Sequence, residues 1–486
     1  MKRFALGFAL SVASVAGAQG HPSLRPADVD DIARLVMLED YRDFNAADLA
    51  RILASTHPEV RRRAALSIGR IADKRGYALL RAKPLDADTA VAATEVFAAG
   101  QLKDSTTVSW FDSLLTAPKL APTVRAEAAT ALGKVKTAAA REALARFLAS
   151  ATEGKLTDQA INEALYSIGR CTARGDLAPI LKWTSSKNDE IRWHATWALF
   201  RPRDPSAVPA LMKLATDKSA DVRMWALRGL VKSQADSAGK TAETEALVLA
   251  AMHDPDRRVR TEAVRSIGFF TDSAAVSALN AAKADGDWWI SSSADEGLAR
   301  LNPPPAAPGR GGRGGGGRGA RPVPPPPTRP LSDYKALVER WVVPDYNGAP
   351  RPTATWDTPR GTITIELYAG DAPLGVEEFV RIVEAGSIVG TKFTRVVPNF
   401  VDQEQTIPGA KRLRDEVTRR GLTRANLAWA SGGLDTGTPG YTLANAIQPH
   451  NEGDFTTLGR VIKGMDVVDQ IQLNDAITAA KMATVR

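Results

Sequence analysis

The stretch from Phe393 to Gln403 places a guanidinium (Arg395), a large aromatic ring (Phe400) and a primary amide (Gln403) within eleven residues. Arg395 and Phe400 stand five apart. An apolar wall beside an always-charged donor can grip a proline ring and polarise the amide bond that precedes it. Rotation about such a bond meets a barrier of about 18–20 kcal/mol and is slow without assistance.

These residues need a rigid support, and the flanking patterns supply one. Thr362 to Tyr368 alternates, with Ile363, Ile365 and Leu367 on one face and Thr362, Thr364 and Glu366 on the other, as in a half-buried strand. Asp371-Ala-Pro373 opens a helix whose apolar positions are Val376, Phe379, Val380 and Val383, closed by Gly386. A second strand–turn–helix unit runs from Phe455 through Ile462 and Gly464 to Met465, Val468 and Ile471. Many short strands with only two helices predict a closed β-barrel capped at its ends.

Four segments together resemble a cyclophilin-type peptidyl-prolyl isomerase. They are Gly361-Thr-Ile-Thr-Ile-Glu-Leu-Tyr368, then Ala372-Pro373 with Val376-x-x-Phe379, the Phe393–Gln403 stretch, and Gly459-Arg-Val-Ile-Lys-Gly464-Met-Asp-Val-Val468. The resemblance spans roughly residues 355–486 and implies a mainly-β, closed eight-stranded barrel with two helices and a peptide groove on its outer face. It also implies that Arg395 is the catalytic arginine, with Gln403 holding the substrate backbone. Drawing the imide nitrogen lone pair out of resonance would lower the rotation barrier by electrostatic stabilisation of a twisted transition state. No nucleophile, acid–base group, metal or other cofactor is required. Phe400 would floor the proline pocket, with Val401 beside it and Phe393 and Ala430 also substrate-binding. Thr442, His450 and Phe455 complete the expected groove. The chain departs from the family pattern at several of these positions. Glu404 and Gln405 stand where two glycines are usual, and Thr394 where a histidine commonly precedes the arginine. Thr442 replaces a typical aromatic wall, His450 falls where an aromatic is frequent, and Phe455 where a histidine is frequent. The charged centre is preserved and the proline-facing wall is altered.

Residues 28–302 carry an internal repeat. His57-Pro-Glu-Val60-Arg-Arg-Arg-Ala64 recurs as Ala121-Pro-Thr-Val124-Arg-Ala-Glu-Ala128, and the same frame returns at Ala160, Ile191, Val222 and Val259, with weaker copies at Val91 and Ile290. Each copy couples a small-residue helix to an Asp/Pro-rich turn. One helix pair cannot bury its own face, so neighbours are expected to stack into an all-α superhelical solenoid. The frame resembles HEAT repeats of a short bacterial type, which implies a protein partner along the array. The recurrent Arg61, Arg125, Arg192, Arg223 and Arg260 are read as ties between a helix and a neighbouring turn. Trp193, Trp197, Trp225, Trp288 and Trp289 are read as packing between repeats.

The formal net charge of +8 is not a nucleic-acid signal. Five arginines and no acids fall in residues 303–330, and Lys2 and Arg3 add two more charges, so the remainder is close to neutral. Residues 303–330 hold ten prolines and eight glycines, too little apolar surface for a core, and read as a disordered linker. An RNA-binding reading rests on that linker alone. Residues 1–18 read as a cleaved signal peptide: Lys2 and Arg3, a short apolar run, then Ala16-Gly17-Ala18. The sequence has no membrane span, and the expected destination is the periplasm or the exterior. The single cysteine, Cys171, is read as a packed core thiol, and the five histidines show no metal-ligand spacing. The expected domains are thus 1–18, 28–302, 303–330 and 331–486. The expected function is an exported prolyl isomerase acting on proline-containing clients, with the array as scaffold. The competing reading is a non-catalytic scaffold whose barrel is a weak or inactive proline-peptide binder.

Overall fold

The computed structural model of the protein describes residues 22–171, 174–302, 327–448, 451 and 453–483. The expected leader at 1–18, linker residues 303–326 and His450 lie outside them.

Every repeat anchor is the third residue of a helix. Val60 lies in Pro58–Ile71, Val91 in Thr89–Gln101, Val124 in Pro122–Val135 and Ala160 in Asp158–Arg170. Ile191 lies in Asp189–Phe200, Val222 in Ala220–Gly229, Val259 in Arg257–Ile267 and Ile290 in Trp288–Leu301. None of the eight is more than 4% exposed. The turn residues explain where these helices begin: Asp88, Asn188, Asp256 and Asp287 each cap backbone N–H groups of the first turn. Glycines then set the spacing between neighbours. A Cβ on Gly169 would lie 2.4 Å from Cζ3 of Trp197, and one on Gly133 2.5 Å from Oγ of Ser167.

The repeat arginines do tie turns to helices. Arg192 pairs with Asp217 at 2.9 Å and donates to the Ser186 carbonyl, Arg223 pairs with Asp254 at 2.7 Å, and Arg61 with Asp86 at 2.7 Å. Trp193, Trp197, Trp225 and Trp289 are buried, while Trp288 is half-buried. Cys171 is buried too, and burial pushes its thiol up to about 11, leaving it a packing group.

The C-terminal strands are β1 (Thr353–Thr358), β2 (Gly361–Leu367), β3 (Phe393–Val397), β4 (Val401–Glu404), β5 (Asn426–Ala430), β6 (Thr438–Ala444), β7 (Thr457–Lys463) and β8 (Ala479–Met482). They form one antiparallel, curled sheet in the order β3-β4-β6-β5-β7-β2-β1-β8. The expected closed barrel is only approached, because β3 and β8 are sheet edges that do not pair with each other. The seam is bridged by the segments beside them: Gly390 and Phe393 donate to the Ile477 and Asp475 carbonyls, and Ile477 and Asn474 donate back to Thr391 and Phe393. Trp356, Phe379, Trp429 and Tyr441 fill the interior, with Trp429 and Tyr441 stacked 4.7 Å apart. Helix Pro373–Glu384 packs its apolar stripe on this core, and Met465–Val468 adds a single turn.

Residues 331–346 are helical and pack on the first array helix, Pro26–Tyr41. Tyr334 Oη donates to Asp40 at 2.8 Å, and Lys335 reaches Asp30 at 2.6 Å. The anchor helices also hold the curled sheet. Arg70, 2% exposed, pairs with Glu39 at 2.8 Å and donates to the carbonyls of Val417 at 2.9 Å and Asp371 at 2.6 Å. Arg63 donates to the Gly370 carbonyl and Gln101 to that of Gly453, while Arg419 pairs with Glu127 at 2.6 Å. At the far end Arg265 donates to the Pro398 carbonyl at 2.9 Å and Arg257 to that of Asp469 at 3.3 Å. The first, second, third, sixth and seventh anchor helices thus bond to loops of the C-terminal domain.

Candidate active site

The site is built on the β3–β4 hairpin, and a bulge decides which side chains it shows. Phe393 pairs with Glu404 but Arg395 with Gln403, so β3 has one residue more than β4 between these rungs. In an unbroken strand residues 393 and 395 would share a face. The bulge sends Phe393 into the core instead, 1% exposed, while Arg395 stays on the outer face. The expectation that Phe393 contacts substrate is therefore corrected: it is a core residue.

Arg395 Nη1 lies 3.4 Å from Gln403 Oε1, and its guanidinium sits 5.2 Å from the Phe400 ring centroid. Burial lowers the Arg395 pKa from the ordinary arginine value, Glu296 of the array opposing this and Arg265 adding to it. Arg395, Phe400, Val401, Gln403, Ala430, Thr442 and Phe455 line one cavity of about 290 Å³. Seven of the nine expected residues are thus gathered; Phe393 is in the core and His450 lies outside the described residues. Thr442 faces the cavity while its neighbour Tyr441 points into the barrel, as strand alternation requires. Phe455, which also lines the cavity, packs on a small cluster of Leu422, Ala428 and Ala444.

Leu422, Ser431, Gln448 and Asn451 also line the cavity, and nothing in their local sequence marks them. Gln448 Nε2 donates to the Phe400 carbonyl at 2.7 Å, fixing the residue that would carry the proline pocket floor. The array fixes the same turn from outside. Asn399, at a left-handed φ of 54°, donates to the Arg258 carbonyl at 2.9 Å and to Glu262 at 3.0 Å. Arg228 pairs with Glu262 and donates to the Asn399 carbonyl at 3.1 Å. Glu404, which replaces a usual glycine, points away from the groove into the buried interior. It accepts from Thr391, and burial pushes its carboxyl up to about 8, so it is largely neutral at pH 7. Arg395 and Gln403 thus present a guanidinium and an amide side by side, next to the Phe400 ring.

Both parts of the chain are similar to known proteins. Residues 353–485 match the model of "Cyclophilin type peptidyl-prolyl cis-trans isomerase/CLD", and residues 82–165 and 177–243 match "HEAT repeats". A peptidyl-prolyl cis-trans isomerase of Helicobacter pylori is 32% identical over 134 residues, 26% of this chain and 82% of that protein. One from Synechococcus elongatus is 29% identical over 140 residues, 27% of this chain and 96% of that protein. Among solved structures, a cyclophilin type peptidyl-prolyl cis-trans isomerase from Cryptosporidium parvum is 16% identical, covering 28% of this chain and 98% of its own, with a TM-score of 0.26. Through its C-terminal domain, carried on HEAT repeats, the chain belongs to the cyclophilin-type peptidyl-prolyl cis-trans isomerases.

Proposed function

We propose that the chain is an exported prolyl isomerase acting on unfolded or partly folded clients, with the HEAT array as the scaffold that holds the catalytic domain and presents clients to it. The gathering of Arg395, Phe400, Gln403, Ala430 and Phe455 on one cavity carries this reading. In it, Phe400, Val401 and Phe455 grip the proline ring and Gln403 holds the backbone before it. Arg395 then donates toward the imide nitrogen as the bond twists, an interaction that strengthens only near the transition state. Export is supported by the charged start, apolar run and small-residue site of residues 1–18.

The test is the cis–trans exchange rate of a short proline peptide with the full chain and with Arg395→Ala. The variant is expected to lose about 10²–10³-fold in kcat/KM at unchanged melting temperature. A wild-type chain that binds the peptide yet leaves exchange at the uncatalysed rate would favour the competing reading of a proline-peptide binder. Thr442, smaller than an aromatic wall, is the residue that favours that second reading. An N-terminus still beginning at Met1 in the mature protein would remove the export component.

A further inference from the structure

The proline cavity does not end at the barrel. Phe400 lines it and also lines a neighbouring cavity of about 300 Å³ whose remaining walls belong to the array. On the opposite side Ser431, Asn451 and Phe455 are shared with a third cavity of about 420 Å³, which the array closes with Gln101, Lys103 and Lys136. The three cavities thus adjoin one another through these shared residues, with the catalytic groove in the middle.

The cavity on the Phe400 side has a distinct chemistry. Five array arginines reach it: Arg201, Arg203, Arg228, Arg265 and Arg300. Its carboxylate, Glu262, is already engaged by Arg228, with Arg265 at 3.6 Å and Asn399 also bonded to it. Arg201 and Arg203 are exposed and form no ion pair among the described residues. The guanidinium of Arg300 lies 4.2 Å over the Phe269 ring and that of Arg228 lies 4.6 Å over Trp225, so flat cation–aromatic stacks line the wall. Desolvation by the surrounding cavity wall is the first cause that lowers the Arg201 pKa, and the neighbouring Arg203 and Arg170 add to it. At the other end Lys103 is paired with Asp454 at 3.3 Å, so the excess of positive charge is concentrated beside Phe400.

We infer that an extended client runs along these adjoining cavities with its proline at Arg395, and that the array's arginines select clients carrying acidic residues on the Phe400 side of that proline. This rests on the reading of the array as client scaffold and deepens it: the array becomes part of the substrate site and sets its specificity. A fixed cation cluster beside a groove attracts and orients an anionic segment, most strongly at low ionic strength.

The experiment uses the full chain and peptides with one central proline, carrying Glu or Lys at each flanking position in turn. Glu on one side is expected to give a kcat/KM on the order of tenfold higher than Lys at the same position, mainly through KM and fading with added salt. In Arg201→Glu/Arg203→Glu this Glu-to-Lys ratio should fall to one or invert. The ratio is internally controlled, since damage to folding lowers both peptides alike. Arg201→Gln alone should move it part of the way. Binding of the Glu and Lys peptides to Arg395→Ala, followed by tryptophan fluorescence through Trp197 and Trp225 on the cavity wall, reads the subsite without turnover. A preference in binding that survives there, while exchange is lost, separates the subsite from the catalytic assignment. Equal rates and affinities for Glu and Lys peptides in the parent chain, or an unchanged ratio in the double variant, would overturn the inference.

Discussion

Glu404 is a carboxyl held where water cannot reach it, and its titration is a stability statement. In the unfolded chain it loses its proton near pH 4.3, about the ordinary glutamate value, whereas in the folded chain burial raises this to about 8. Between those values the folded state binds a proton that the unfolded state has released, so stability falls as pH rises. Glu404→Gln keeps the shape and removes the titration. It is expected to melt at a higher temperature than the parent at pH 8, with the difference shrinking toward pH 5; thermal melts at the two pH values check this. Asp415 and Glu416, raised by burial to about 6 and about 7, add to the slope at lower pH and leave the Glu404 contribution visible above pH 7. The same residues show what a single sequence can reveal. The Arg395–Gln403 frame was legible because its members are local and project from one hairpin. Phe393 was misread because the bulge after it breaks the two-residue alternation, and no residue type there announces a bulge. Gln448 was invisible because its role is a bond to a backbone carbonyl 48 residues away.

At the level of elements, the array depends on close approach between successive anchor helices. Gly169 sits against Trp197, and an added methyl would meet ring carbon at 2.4 Å and the Ala198 Cα at 3.0 Å. Gly169→Ala gains helix propensity but overpacks this contact, and a loss of about 1–3 kcal/mol is expected in denaturant melts. A neutral or stabilising result would mean that the helices can separate at no cost, contrary to the tight stack. The repeat was readable because offsets of 31 to 37 residues return the same buried positions, each third in its helix, and because caps and arginine ties repeat with them. Of the sheet, β2 and β7 were readable from their residue patterns but its closure was not, since the seam consists of loop bonds around 390–393 and 474–477.

On the scale of the whole molecule, the array's inner helices are occupied by the chain's own catalytic domain, which residue patterns did not signal. The contacts join residues about 130 to 390 positions apart, and they fall on arginines indistinguishable in type from those that tie the repeats. Arg70 is the central one, buried between Glu39 and three barrel carbonyls. Arg70→Met leaves Glu39 buried without its cation and strips those carbonyls of a donor. A loss of about 3–5 kcal/mol is expected. In calorimetry the parent should unfold in one transition, and the variant should split into separate array and barrel transitions. A single, unshifted transition in the variant would show that the two parts are joined elsewhere.

The packing of residues 331–346 on the first array helix also has a consequence in time. Helix Pro26–Tyr41 is among the first described elements to leave the ribosome, yet Tyr334, which covers Asp40, is made about 300 residues later. At about 5–20 residues per second that is a wait of roughly 15–60 s. For that interval the opening helix has an apolar flank without its cover, which makes the newborn chain dependent on something else to shield it until its own later half arrives.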